Sequence, residues 1–508
     1  MQKQSFLQGT FILSVSAFIT RMLGFAGSIF LARMLGAEGM GLIMMAQPLV
    51  PLVITLTELG LPVAISKLVA EADVHGNPAK VKRILYVSLT VTGILSLTLT
   101  AASLLGSKWI ASLLLTDQRA YYAMLAITPI APIVAFSAVL KGYFKGKQNM
   151  TSIAYSEVFE HVVQITSILS LVQLLMPYGI EYAAAGAMAA YVVSELASLS
   201  FLYARFRLYR DKEEAGIRLT DHLRKGKQTL RELLRIGLPT TGHGIVHSIY
   251  NALQPMLITK SLGLAGIGTA AATSQFGLLA GYAFPLLFLP SFITQSLSTA
   301  LIPAISEANA SGNGRIMHER MDQAMRIALI VGAPSTVILY VWATPLTTLI
   351  YNAPEAGNLL QILAPIFLLY YFDAPLHAIL LGLGKAGTAM WNYVISMAAR
   401  AAAIFVLGSQ FGIHGVALGI NFGICMLTFL NFFSISGSIG FYMELRQYVK
   451  AAAGMALMAL AGQYLFPLLQ QAGFPLFWSV VLSAGVSLAI YFLTLLSGGI
   501  HSMRTTRP

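Results

Sequence analysis

Long apolar runs separated by short polar or Pro/Gly-rich connectors fill this chain from end to end. A helix needs about 20 apolar residues to cross the hydrocarbon core, and only a structure that closes its own backbone hydrogen bonds can do so. Runs of that kind fall near 10–32, 42–64, 84–106, 120–140, 153–176 and 182–204, then 236–258, 270–300, 327–350, 359–382, 389–408 and 413–435, and finally 450–470 and 475–497. The pattern predicts an all-α membrane protein of fourteen transmembrane helices. The first run follows Lys3 like a signal peptide, but it is too long for a signal core and carries Arg21, so it reads as an uncleaved span. Pro48, Pro51, Pro129, Pro132, Pro285 and Pro290 lie inside runs, where a missing backbone donor lets a helix bend.

Composition agrees with the pattern. Hydrophobic residues make up 56% of 508 and charged residues 10%, against about 25% charged in soluble domains. A net charge of +12 would suit nucleic acid or anionic lipid, but Lys and Arg gather in short connectors, as topology signals do, and form no nucleic-acid groove. An even span count puts both termini on one face. With that face cytoplasmic, all 32 Lys and Arg lie inside except Arg33, Lys108, Arg119 and Lys260 outside and Arg21 and Arg400 within spans. The expected location is the bacterial cytoplasmic (inner) membrane, multi-pass. The single cysteine, Cys425, excludes disulfides within the chain and Cys-based metal clusters.

The two halves echo each other. Leu35-Gly36-Ala37-Glu38-Gly39-Met40-Gly41 matches Leu262-Gly263-Leu264-Ala265-Gly266-Ile267-Gly268, and Glu71-Ala72-Asp73-Val74-His75-Gly76-Asn77 matches Glu307-Ala308-Asn309-Ala310-Ser311-Gly312-Asn313. Gly146-Lys147 matches Gly384-Lys385, and Tyr178-Gly179-Ile180 matches Phe411-Gly412-Ile413. Four matches in order predict two parallel six-helix repeats around a central cavity, the plan of transporters that rock two bundles about one site. The predicted organisation is a six-helix lobe at 1–204, a basic cytoplasmic linker at 205–235, a second lobe at 236–435, and two further helices with a tail at 436–508. The linker's ten Lys and Arg fit a solvated segment beside anionic headgroups.

Ionisable groups inside spans cost about 2.5–3.5 kcal/mol each on insertion scales, so they face a bundle interior or water. Arg21 shares a helix face with Ser14, Ala17, Gly24 and Ser28, and its guanidinium can fork onto a phosphate or pair with a buried carboxylate. Arg400 can contact substrate or pair with Asp373, which shares a face with His377. Glu157, Glu160, His161 and Gln164 form one stripe, where Glu160 and His161 could carry a proton or bind a cation. His243, His247, Asn251 and Gln254 form another; two histidines at that spacing can hold zinc, but no HExxH accompanies them, so the stripe reads as cavity lining. Glu58 and Glu195 are weaker candidates for ion handling or helix packing.

The Gly-Lys pairs at 146–147, 226–227 and 384–385 lack the following Ser/Thr of a phosphate-binding loop, and GxSxG and CxxC are absent. Connectors on the outer face are short, with isolated acids at Glu38, Asp117, Glu181 and Glu355, which argues against a membrane glycosyltransferase or polymerase. No enzymatic activity, metal or resident cofactor is expected, beyond a possible coupling cation, Na⁺ or H⁺.

Further segments carry a resemblance: Thr20-Arg21-Met22-Leu23-Gly24-Phe25, Gly60-Leu61-Pro62, Leu125-Ala126-Ile127-Thr128-Pro129, Lys141-Gly142-Tyr143-Phe144-Lys145-Gly146-Lys147-Gln148-Asn149-Met150, and Leu289-Pro290-Ser291-Phe292. In these the chain resembles the stage V sporulation protein B family of the multidrug/oligosaccharidyl-lipid/polysaccharide exporter superfamily, over nearly its whole length. The resemblance implies two lobes flanking a cationic cavity. It implies alternating-access translocation of an undecaprenyl-pyrophosphate sugar, lipid II-like, for cell-wall or spore-cortex peptidoglycan. The implied partners are that lipid-linked oligosaccharide, membrane lipids and the peptidoglycan synthesis machinery. Substrate contact is expected from Arg21, Arg400, His243, His247, Asn251 and Gln275, and ion coupling from Glu160, His161, Asp373 and Glu58. Related lipid II flippases carry another cavity arginine six residues after the first-span one; here that position is Gly27, and Ser274-Gln275-Phe276 has no arginine either. The alternative is a polysaccharide or multidrug exporter of the same fold.

Overall fold

The computed structural model describes residues 6–209, 219–440 and 445–497, and these are helical almost throughout. In order the helices are α1 (Phe6–Ala46), α2 (Leu49–Glu58), α3 (Leu61–Val74), α4 (Pro78–Leu105), α5 (Ser107–Leu114), α6 (Ala120–Ile127), α7 (Ile130–Gly146), α8 (Met150–Leu175), α9 (Ile180–Tyr209) and α10 (Leu219–Leu264). They continue with α11 (Thr269–Gly277), a π-helical segment (Leu278–Ala283), α12 (Phe284–Phe288), α13 (Ser291–Ala310), α14 (Gly314–Val341), α15 (Ala343–Tyr351), α16 (Ala356–Gly382), α17 (Ala386–Ile439), α18 (Leu445–Gln471) and α19 (Leu476–Ser497). Of the predicted basic linker, residues up to 209 end α9 and those from 219 begin α10, while 210–218 lie outside the described residues, as does the tail beyond 497.

Eleven helical stretches among the described residues are long and apolar enough to cross a membrane. Two are longer than one crossing needs: Phe11–Val74 has 64 residues and Ala386–Ile439 has 54. At 1.5 Å per residue the latter would reach about 80 Å if straight, well over twice a hydrocarbon core. Neither is straight. α1 turns at Gly36 (φ 66°, ψ −176°) and α17 at Gly412 (φ 60°, ψ −142°), conformations that only a residue without Cβ adopts cheaply. Proline supplies other breaks: Pro48, Pro129 and Pro290 immediately precede α2, α7 and α13.

Three connectors close in the same way. Gly76, Gln148 and Gly312 take positive φ, and the next residue in each case is an asparagine that caps the following helix. The amides of Lys80, Ser152 and Ile316 donate to Asn77, Asn149 and Asn313 at 2.9, 3.1 and 3.1 Å.

The chain divides into two compact units. The N-terminal unit holds residues 1–259 and 269–277, and the C-terminal unit holds 260–268 and 278–508. The first is centred on α3, α4 and α7, through Leu61, Ile65, Val69, Ile84, Tyr143 and Phe144. The second is centred on α13, α14, α16, α18 and α19, through Ile305, Met321, Met325, Ile379, Met458 and Tyr491. Within it, the last two helices are pinned by Trp342, which is fully buried and donates through Nε1 to Ser483 Oγ at 2.9 Å. Gly462 makes room for that indole, since a Cβ there would sit 2.5 Å from Cη2.

Candidate functional sites in the two units

In the N-terminal unit, α1 is anchored to α8 by Ser16, whose hydroxyl donates to the carbonyl of Ala154 at 3.2 Å. That docking leaves Ser14, Ala17, Arg21 and Gly24 exposed. The Arg21 guanidinium makes no hydrogen bond or ion pair among the described residues. Gly27 is buried on the docked side, where a Cβ would lie 3.3 Å from Ile165 Cγ1. The position at which related flippases carry a second arginine is thus a helix contact in this chain.

Four helices of the same unit bring Glu58, Lys141, Glu160 and Glu195 together. Glu58 ends α2; Lys141, Glu160 and Glu195 come from α7, α8 and α9. Lys141 Nζ stands 3.8 Å from Glu160 Oε2. Glu195, only 7% exposed, lies within hydrogen-bond reach of Glu160, and both Lys141 and Glu195 act electrostatically on Glu58. His161 turns to its own helix, with Nδ1 2.9 Å from Gln164 Oε1.

On α10, His247 is exposed and its Nε2 sits 2.8 Å from Asn251 Nδ2. The side chain of His243 lies outside the described residues. Gln275 on α11 is half-buried, and its Oε1 is buried with no hydrogen-bond partner among the described residues.

A further cluster occupies the connector between α5 and α6. Asp117 accepts from Arg119 N at 3.0 Å, Nε at 3.1 Å and Nη2 at 2.8 Å, and from Thr273 Oγ1 on α11 at 2.9 Å. Arg119 also reaches Glu38, just past the Gly36 turn of α1, Nη1 to Oε1 at 2.6 Å. Burial pushes the Asp117 carboxyl up, but the hydrogen bonds from Arg119 and Thr273 and the Arg119 charge outweigh it and hold it below the usual carboxylate range. The bond to Asp117 correspondingly raises Arg119. Beside it α1 and α11 cross backbone to backbone: a Cβ on Gly277 would lie 1.8 Å from Ala37 O, and one on Gly41 2.0 Å from Thr273 O.

In the C-terminal unit, Asp373 on α16 accepts from Asn431 Nδ2 at 3.2 Å, and Asn392 Nδ2 donates to Asn431 Oδ1 at 3.0 Å and Ser434 Oγ at 2.9 Å. Arg400 lies flat over Gly423, where a Cβ would be 2.4 Å from Nε. Its charge acts on Asp373, yet the two close no direct ion pair among the described residues, and Arg400 Nε is buried without a hydrogen-bond partner. The sequence reading missed the Asn392–Asn431 bridge and the Asp117 cluster. The signal available for the first was two asparagines on apolar stretches, where an amide needs a partner.

The model of the polysaccharide biosynthesis protein family matches residues 6–309, and the MatE family model matches 278–406. Stage V sporulation protein B of Bacillus subtilis (strain 168) is 43% identical over 500 residues, spanning 98% of this chain and 96% of that protein. Lipid II flippase MurJ of the same organism is 26% identical, over 77% of this chain and 75% of its own. Among solved structures, lipid II flippase MurJ in an inward closed conformation superimposes with a TM-score of 0.71 at 14% identity, covering 95% of this chain and 97% of that one. An inward-facing multidrug resistance MATE transporter of the MOP superfamily gives 0.66 at 17% identity, covering 85% and 98%. The chain is a multi-pass helical membrane protein with the fold of these transporters, and it belongs to the polysaccharide biosynthesis protein family, in the branch of stage V sporulation protein B.

Proposed function

We propose that this protein translocates an undecaprenyl-pyrophosphate-linked sugar, lipid II-like, across the cytoplasmic membrane for cell-wall or spore-cortex peptidoglycan synthesis. It does so by alternating access and without catalysis. Counting each long glycine-bent helix as two crossings and α10 as one gives fourteen crossings, with both termini cytoplasmic. The matched connectors at Gly76-Asn77 and Gly312-Asn313 support reading the halves as parallel repeats.

The observation that carries the proposal is Arg21. A guanidinium exposed on a small, polar face of an otherwise apolar helix, with no carboxylate beside it among the described residues, is placed to offset a pyrophosphate through forked hydrogen bonds. The sequence similarity to lipid II flippase MurJ of Bacillus subtilis supports the same cargo class. Gln275, with its orphaned Oε1, and the His247–Asn251 pair are further polar groups for a sugar head. Arg400 would supply a second cation. Glu160, Asp373, Glu58 and His161 would couple movement to Na⁺ or H⁺.

The test is translocation in proteoliposomes of labelled lipid II against another undecaprenyl-pyrophosphate oligosaccharide, for wild type and Arg21→Ala. Lipid II movement that Arg21→Ala abolishes supports the proposal; normal transport by Arg21→Ala refutes the phosphate contact. The MatE match over 278–406 favours one second reading, a polysaccharide or multidrug exporter of the same fold. Movement of neither lipid by folded protein would support that reading.

A further inference from the structure

The cluster of Glu58, Lys141, Glu160 and Glu195 is unusual for a membrane-embedded unit. Fully ionised, it would hold three anions against one cation, leaving two negative charges uncompensated where each ionised group is costly. Lys141, 3.8 Å from Glu160, offsets one carboxylate. Glu160 and Glu195 then stand side by side, and ionisation of either carboxylate disfavours ionisation of the other.

A second observation concerns unpartnered atoms. Glu195 Oε1 and Ser198 Oγ are buried, their residues 7% and 0% exposed, and neither has a hydrogen-bond partner of ordinary geometry among the described residues. They stand three residues apart on α9, hence on one face of it, and the Ser198 side chain lies close enough to Glu160 to bias its charge. Buried polar atoms are rarely left unmatched, and a carboxyl proton shared with Glu160 would give Glu195 Oε1 the partner it lacks.

The other charges nearby do not complete the cluster. The charges acting on Glu160 are Glu195 and Lys141, and those acting on Glu58 are Lys141 and Glu195. On α8 itself His161 is engaged by Gln164 and Glu157 is half-buried. The neighbour α1 brings Arg21, which makes no ion pair with the acids. Of the remaining packed helices, α6 offers only the phenols of Tyr121 and Tyr122, and α7 offers Lys145 one turn beyond Lys141.

We infer that Glu160 and Glu195 form a proton-binding pair within the N-terminal unit, braced by Lys141 and Glu58 and served by Ser198. In the loaded form one carboxyl O–H donates to the other carboxylate. On unloading, the proton leaves to water, and the second negative charge must be relieved by separation of α8 from α9 or by another cation. The inference stands on this geometry alone; joined to the proposed transport, it makes the proton the coupling ion.

Infrared difference spectroscopy on the full-length protein in lipid nanodiscs tests it without any cargo. In wild type at neutral pH a protonated-carboxyl C=O band, shifted in D₂O, is expected and should fall as the pH is raised. Glu160→Gln and Glu195→Gln, both near-isosteric, should each lose one carboxyl's share of that band, because the remaining acid ionises against Lys141. Lys141→Met should hold the band to higher pH. The inference is overturned if wild type shows no such band or if both glutamine variants keep it in full. It is also overturned if Na⁺, but not K⁺, erases the band at constant pH, which would make the pocket a sodium site. Lipid movement is not read, so failure of the flippase proposal leaves this result untouched, and the reverse holds too.

Discussion

Asp117→Asn tests the connector cluster, and its cost can be worked from the hydrogen bonds. The Asp117 side chain is 5% exposed. One of its oxygens accepts from Arg119 N and Nε, the other from Arg119 Nη2 and Thr273 Oγ1. Asparagine keeps the shape but turns one oxygen into a donor. Whichever way the amide is flipped, two donors lose their acceptor and meet an NH₂ group. Hydrogen bonds to charged groups contribute about 1.5–3 kcal/mol each, and breaking a fully buried pair costs about 3–5 kcal/mol. Relief comes from two sides: Arg119 is 36% exposed and keeps Glu38, and the Thr273 hydroxyl can donate fully to Thr269 O at 2.9 Å. Discounting for that screening leaves a loss of about 2 kcal/mol. The sign with pH follows from Asp117 titrating below its unfolded value. Its contribution is fully present above an unfolded pKa of about 3.9 and is lost as pH falls through the lower folded value, whereas Asp117→Asn should show no such step. Equilibrium unfolding in mixed micelles by SDS, at neutral and acidic pH, measures both. A loss below about 0.5 kcal/mol at neutral pH, within the ordinary range of surface substitutions, would refute the reasoning.

Other outcomes follow from the same kind of geometry. Gly277→Ala drives a Cβ into the Ala37 carbonyl and should cost about 3 kcal/mol or more, read as loss of monodisperse protein, whereas Gly485→Ala, with open space at its Cβ, should stabilise α19 by up to about 1 kcal/mol. Lys147→Met removes the partner that holds Asp73 at 2.8 Å with both side chains largely buried, and should cost about 2 kcal/mol in the same SDS titration. Asn431→Leu deprives Asp373 of a donor and Asn392 of an acceptor, so unfolding should become easier by about 2 kcal/mol; an unchanged midpoint would show that the bridge contributes nothing.

Much of the architecture was legible because lipid leaves so few options: a run of about 20 apolar residues in a helical membrane chain crosses as a helix. Pro48, Pro129 and Pro290 read as bends inside longer runs, whereas α2, α7 and α13 start directly after them. Hydropathy does not record that a helix can pass through Gly36 or Gly412 with one residue turned aside, nor that the run at 270–300 contains a π-helical segment at Leu278–Ala283. The face shared by Arg21, Ser14, Ala17 and Gly24 was readable from periodicity, and so was the stripe of Glu157, Glu160, His161 and Gln164, but not that His161 turns to Gln164. The approach of Glu195 to Glu160 was not, because it depends on how α9 lies against α8 and leaves no local pattern. Asp117 read as an isolated acid in a short connector; its burial depends on Thr273, 156 residues further along the chain.

The crossing of α1 and α11 has a mechanical consequence. With a carbonyl standing where each missing Cβ of Gly41 and Gly277 would be, the two backbones mesh like teeth. A slide of one turn, about 5.4 Å along either axis, would bring the side-chain carbon of the residue four positions away against the opposing carbonyl. Such a joint resists shear and yields to separation. A helix pair built this way can come apart and return to one register only, so the contact indexes its own closed position each time it re-forms.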